Sequence, residues 1–293
     1  MAKTPKTSSK PAGREPATTV SRETLGRAPR LSVINQKGGV GKTTTAVNLA
    51  HGLALSGRKV LLVDLDPQGN ATTSLGVEKF TTNPSSYELL TATGPLAPTE
   101  TAYPDLLLYP ANISLIRAEM DLIQRPAGRE TVLLEALKLQ SYDVDVIIFD
   151  APPALGLLTL NILVASDFAI VPVQCEFLAL EGLTMLLDTL DELRQEHNPQ
   201  LELLGCVLTM VDLRTNLSQQ VIKDMRTHLG KKVFSTLIPR SIRIAESPSH
   251  GKTIFDYDRW GAGARSYEAL CKEVEKRLIA LNALPPRGKG KVS

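Results

Sequence analysis

Cysteine is scarce in this chain: Cys175, Cys206 and Cys271 are far apart and odd in number. They offer neither a disulfide framework nor a paired-cysteine metal site, and a reducing cytoplasm fits them best. Aromatic residues make up only 4% of the 293 residues. None is expected to interleave with the arginines considered below, which disfavours a base-stacking platform for single strands. The basic start is not followed by an apolar stretch of about 7–15 residues, so no secretory leader is expected. Residues 151–173 lack Lys, Arg and Glu, yet Pro152, Pro153, Asn161 and Asp167 interrupt them. A buried helix followed by a buried strand accounts for that segment better than a membrane span. No internal repeat is visible.

What is present is enough apolar material, 43% of residues, for one sizeable core. Net charge is +2, but residues 1–30 carry seven cations against Glu15 and Glu23, and Arg287, Lys289 and Lys291 add to the far end. The body between them is therefore acidic. Residues 1–30, rich in Pro, Ser, Thr, Lys and Arg, read as a disordered basic arm; residues 31–284 read as the folded domain and residues 285–293 as a flexible basic tail. Strands are predicted at residues 31–34, 59–65, 106–109, 144–150, 168–173, 203–210 and 233–238, with helical patterns filling most of the intervals. The last helix, over residues 267–281, carries Leu270, Val274, Leu278 and Leu281 as a packing face. Strands alternating with helices, several of them unbroken apolar runs, predict an α/β fold: a mostly parallel twisted sheet covered by helices on both faces. Ligands of such sheets sit at the carboxyl ends of the strands. Gly41, Asp66, Asp150 and Pro239 all fall there.

The segment Asn-Gln-Lys-Gly-Gly-Val-Gly-Lys-Thr-Thr-Thr at residues 35–45 is a phosphate-binding loop with its beginning rebuilt. The ordinary pattern needs glycine at position 36, where Gln36 stands. Gly38, Gly39 and Gly41, with Val40 between, let backbone N–H groups turn onto an anion, and Lys42, Thr43 and Thr44 fall where β/γ-phosphates and Mg²⁺ would sit. Lys37 is the additional cation. Asp150, closing the run Val-Ile-Ile-Phe, is placed to hold a water on Mg²⁺, with Thr43 as the direct hydroxyl ligand. The segment Val-Asp-Leu-Asp-Pro-Gln-Gly-Asn at residues 63–70 adds Asp64, assigned to Mg²⁺-bound water or to the loop, and Asp66.

These motifs resemble the deviant Walker A class of P-loop ATPases that includes ParA and MinD. The resemblance covers residues 31–282, including Val-Pro-Val-Gln-Cys-Glu-Phe at 171–177, Leu-Glu-Gly at 180–182, Leu-Thr-Met at 208–210, Arg-Thr-Asn at 214–216, Ile-Pro-Arg at 238–240 and Ser-Pro-Ser-His-Gly-Lys at 247–252. It favours the ParA/Soj chromosome-partition ATPases. The resemblance implies ATP and Mg²⁺ as cofactors, a homodimer in the ATP state, Lys37 reaching nucleotide in the facing subunit, Asp66 orienting the attacking water, and Met210 and Pro239 at the adenine. It further implies nonspecific binding of double-stranded DNA, with Arg214 and Arg243 as first candidates and Arg240 and Lys252 as second ones. A ParB-type partner, slow hydrolysis until stimulated, and a place in the cytoplasm on the nucleoid complete the expectation.

Other readings are weaker. Iron–sulfur relatives with the same loop need cysteines in glycine-rich turns, and none of the three lies in one. A MinD-like factor positioning a division site or protein cluster would need a C-terminal amphipathic membrane helix, whereas the last helix has no Trp or Phe and is followed by Pro285 and Pro286. A small-molecule ligase of the same superfamily is the remaining enzyme class.

Overall fold

The computed structural model describes residues 27–176 and 179–287; most of the expected arm, the end of the tail and Phe177 lie outside the described residues. The strands are β1 (Arg30–Val33), β2 (Val60–Asp64), β3 (Thr99–Glu100), β4 (Leu106–Tyr109), β5 (Val146–Asp150), β6 (Phe168–Gln174), β7 (Glu202–Val211) and β8 (Val233–Pro239). The helices are α1 (Lys42–Leu55), α2 (Asn70–Ser74), α3 (Ser86–Thr91), α4 (Ser114–Ile123), α5 (Val132–Lys138), α6 (Leu157–Ala165), α7 (Ala179–Glu196), α8 (Asn216–Leu229), α9 (Ile242–Glu246), α10 (Ile254–Tyr257) and α11 (Ala262–Ala280).

The strands form one sheet in the order β3-β4-β2-β5-β1-β6-β7-β8, parallel except where the two-residue β3 pairs antiparallel with β4. Its central strands are apolar on both sides because each side is covered. In β2 and β5, Val60, Leu62, Val146 and Ile148 face the layer of α1 and α11. Leu61, Val63, Ile147 and Phe149 face the opposite layer. Helices α1 and α11 approach so closely that a Cβ at Gly52 would stand 2.5 Å from Cys271 Sγ. Glycine there is a packing requirement.

Residues 151–173 behave as expected: α6 and β6 are buried, and Asn161 is satisfied, accepting from Leu133 N–H at 3.1 Å and donating to the carbonyls of Arg129 and Leu157. All three cysteines are free and buried, as packing residues. Leu270, Val274 and Leu278 are fully buried on α11, while Leu281 lies past the helix end and is 38% exposed. Both expected boundaries are corrected. Arg27 pairs with Asp167 at 2.5 Å and Arg30 already opens β1, so the fold starts inside the stretch read as an arm. Leu284 is buried, the Pro285 carbonyl accepts from Arg58 at 2.8 Å, and Arg287 pairs with Glu275, so the stretch read as a tail is anchored through Arg287. Among the described residues, no helix is long and apolar enough to cross a membrane.

Candidate functional site

Strand β1 sits between β5 and β6, where the strand order reverses, and the loops leaving the carboxyl ends converge on a cavity of about 690 Å³. Gly38, Gly39, Gly41, Lys42, Thr43 and Thr44 form one wall, and Asp66, Gln68, Asn70 and Pro153 continue it. The far end is lined by Met210, Ile238, Pro239, Arg240 and Ile242. Sequence reasoning placed the phosphate loop, Asp66, Met210 and Pro239 in one site, and the fold brings them together.

Gly41, at φ 87°, is the N-cap of α1; its left-handed backbone is open to glycine at little cost. It supplies no side-chain cap, and the first turn of α1 contains no acid. The free N–H groups of a 14-residue helix therefore point at the cavity with the positive end of its dipole, the physical basis of an anion site. Val40 contributes backbone alone: its side chain is buried and its carbonyl accepts from the Thr209 hydroxyl at 2.8 Å. Asn35 fixes the start of the loop by donating to the Pro172 carbonyl at 2.7 Å and accepting from Lys37 N–H at 3.0 Å.

The two lysines part company. Lys42 is 7% exposed and its Nζ donates to the Lys37 carbonyl at 2.9 Å. Burial lowers its pKa, while Asp150 and Asp66 work in the other direction. Lys37 turns its ammonium away from the cavity onto Glu176, with 53% of its side chain exposed.

The register pairs Asp64 with Asp150 on neighbouring strands, setting two fully buried acids side by side. Burial raises Asp64, and hydrogen bonds from Thr72 partly offset it. Its Oδ2 accepts from the Thr72 N–H and hydroxyl at 2.9 and 2.7 Å, and Oδ1 accepts from Asp66 N–H at 3.2 Å. Asp64, expected to order metal-bound water or the loop, is engaged by Thr72 and by the turn that carries Asp66. Asp150 contrasts with it: neither carboxylate oxygen has a hydrogen-bond partner. Burial, then the Asp64 charge, push its pKa well up, against the pull of Thr43 and Lys42. An orphaned buried carboxylate beside a hydroxyl and an ammonium fits a hydrated Mg²⁺, which takes few protein oxygens and keeps its waters. Among the described residues, no cluster of three or more His, Cys, Asp or Glu side chains is arranged to hold a metal ion by itself. Asp66, 6% exposed, accepts from Gln68 N–H through Oδ1 at 2.9 Å.

The candidate DNA contacts lie off the β7 and β8 end. Arg214 is 89% exposed and makes a two-pronged pair with Asp212 at 2.8 and 2.7 Å, which holds the Asp212 pKa down to about 2. Arg243 stands 3.8 Å from Glu246 and lies over the Tyr257 ring at 5.8 Å. Lys252 is exposed. Arg240 belongs to the cavity wall. The expectation that no aromatic accompanies these arginines is corrected, because folding brings Tyr257 beneath Arg243.

Asn35, Thr209, Thr72 and Glu176 had no role in the sequence reading. Several of their partners lie far off in sequence, up to 169 residues away, which motif spacing does not show.

Residues 29–203 match the family model described as AAA domain. The chain is 47% identical over 246 residues to the sporulation initiation inhibitor protein Soj of Bacillus subtilis, covering 83% of this chain and 97% of that protein. It is 49% identical over 249 residues to the chromosome-partitioning ATPase Soj of Thermus thermophilus, covering 85% and 96%. A solved structure from Mycobacterium smegmatis, described as cobyrinic acid a,c-diamide synthase with bound ADP and magnesium, superposes with TM-score 0.74 at 39% identity, covering 89% of this chain and 100% of that one.

Proposed function

The chain belongs to the Soj/ParA family of P-loop ATPases, and from that membership we propose a nucleotide switch that partitions chromosome or plasmid DNA. It binds Mg·ATP, pairs face to face with a second copy, holds duplex DNA without reading sequence, and resets by slow hydrolysis that DNA and a ParB-type partner accelerate. It works in the cytoplasm on the nucleoid.

The observation that carries this reading is the divergence of the two lysines. Lys42 stays on its own loop, inside the cavity, whereas the Lys37 ammonium leaves it for an exposed rim. A lysine so placed can reach a phosphate presented by a facing subunit. ADP lacks the γ-phosphate, so dimer stability and DNA affinity fall together after hydrolysis.

Within one subunit the N–H groups of residues 38–44 and Lys42 cradle the phosphates, and Met210 and Pro239 flank the adenine. Thr43 through its hydroxyl and Asp150 through a water would hold Mg²⁺, which would offset charge on the phosphates when bound. Asp66 orients the attacking water with the oxygen not used by Gln68; phosphoryl transfer needs positioning more than a strong base. Asp64 keeps that turn in place. Arg214 and Arg243, flanked by Arg240 and Lys252, contact DNA phosphates; the long 3.8 Å pair of Arg243 with Glu246 is weak, and Arg214 exchanges its two-pronged carboxylate partner for a phosphate that accepts the same fork.

The test is the ATPase rate with and without duplex DNA and a candidate ParB-type protein. Stimulation by both together is expected. Equal DNA affinity with ATP and ADP at fixed salt rejects the switch. ATP consumption that required a carboxylic acid and an amide donor instead of DNA would favour an amide-forming synthase.

A further inference from the structure

The chain has a single tryptophan, Trp260, and it is 80% exposed. Exposure of one apolar side chain is ordinary, but tryptophan and arginine, side by side here, are among the residues most enriched at the anchoring points of interfaces. The turn that carries it is built. Gly261 N–H donates to the Asp258 carbonyl at 3.0 Å, and Arg265 donates to the Trp260 carbonyl. The Asp258 carboxylate fills the space that a Cβ at Gly261 would need. Arg259 lies over the indole ring at 5.6 Å.

The same pattern stands just upstream, where Tyr257 has Arg243 over its ring at 5.8 Å and His250 stacked against it at 4.9 Å. Two of the nearby acids are engaged, Glu246 accepting from the Tyr257 hydroxyl at 3.0 Å and Asp258 folding back on Gly261, while Asp256 is exposed and is outnumbered by the cations around it. Lys252, Arg259 and Arg265 are left exposed around two ring-bearing turns.

We propose that Arg259 and Trp260 form a second contact element for duplex DNA, continuous with Arg243. The indole lies flat against the sugar–phosphate backbone, and Arg259 and Arg265 pair with the flanking phosphates. This rests on the DNA-binding reading above. Charge complementarity selects a polyanion and disfavours a basic peptide. A planar ring with one N–H donor suits a surface of sugars and phosphate oxygens. Because the turn is already fixed, little further ordering accompanies binding.

The lone tryptophan is its own reporter. The full chain, held with a nonhydrolysable ATP analogue, is titrated with labelled duplexes of two unrelated sequences. Label anisotropy and indole emission are read together, with acrylamide as quencher. The indole is expected to become protected from acrylamide in step with the anisotropy. Trp260→Ala should weaken binding about tenfold on both sequences and Arg259→Ala about fivefold, the latter also with a salt slope shallower by about one. Trp260→Phe should restore most of the affinity. All three variants should keep wild-type nucleotide binding and DNA-free ATPase rate. Duplex binding that leaves the indole open to acrylamide, with Trp260→Ala binding like wild type, overturns the inference and leaves the DNA reading intact. No duplex binding by the wild-type protein overturns both. Protection by a ParB-type protein, or by phosphatidylglycerol vesicles, in place of duplex assigns the ring elsewhere and overturns it too.

Discussion

The carboxyl ends of β1, β2 and β5 and the exposed turns beyond β7 and β8 solve opposite problems. In the first region charge is buried: Lys42, Asp64, Asp66 and Asp150 are all 7% exposed or less, and each has a defined neighbour or, for Asp150, two unpaired oxygens. In the second, Arg214, Arg243 and Lys252 face water, and the two arginines rest on acids of their own chain. Buried charge demands a fixed geometry, because an unmatched group costs several kcal/mol. Surface charge facing a polyanion needs little beyond approximate position. The first region should therefore fail abruptly when altered and the second gradually.

The largest effects belong to the buried side. Lys42→Ala should abolish nucleotide binding in calorimetry, while Asp66→Ala should keep binding and lose about a hundredfold or more in turnover, giving ATP dimers that persist on DNA. Lys37→Ala should retain ATP within a few-fold yet remain monomeric by sedimentation; a dimer of normal stability would break the assignment of that lysine to the facing subunit. On the exposed side, Arg214→Ala with Arg243→Ala should lower DNA affinity by roughly ten- to a hundredfold across all sequences and reduce the salt slope by about two. A collapse of ATP binding in that double variant would erase the distinction between the regions.

His51 joins them, and its effect is smaller. It lies on α1 at 3% exposure, with Nδ1 2.6 Å from the Thr253 hydroxyl and its ring on Tyr103 at 4.0 Å. Burial lowers its pKa to about 4, partly opposed by Asp256. The unfolded chain then binds the extra proton first, so this contribution is whole above the ordinary value near 6.5 and fades as pH falls toward 4. Between pH 7 and 5 it should amount to about 2 kcal/mol, read as a drop in urea midpoint that His51→Gln removes. Smallest of all, Asp212→Asn should free Arg214 and raise DNA affinity about twofold.

The buried region was the more legible in sequence for the same reason it is the less tolerant. Gly41, Lys42 and Thr43 follow fixed spacings because chain geometry and phosphate geometry are both fixed, and unbroken apolar runs locate β2, β5 with Asp150 at its end, and β6. The edge strand β3, two residues long and antiparallel, has no such run. Thr209 bonding to Val40, or Asn35 to Pro172, depends on neighbours that only strand order supplies. Tyr257 under Arg243 escaped the sequence reading because 14 residues separate them. Surface function of this kind has no spacing rule.

Helix α1 is a rod with fittings at both ends. Its first turn holds the phosphate loop; Asn48, one turn on, donates to the Thr44 carbonyl and accepts from Ile254 N–H, and His51 meets Thr253. From Lys42 to His51 the rod measures about 13–14 Å. Turned about its first residue by one degree, it moves the far fitting by about a quarter of an ångström. A tilt of a few degrees at the loop thus shifts the Thr253 turn by a distance comparable to the tolerance of a hydrogen bond, with no side chain in between needing a new rotamer.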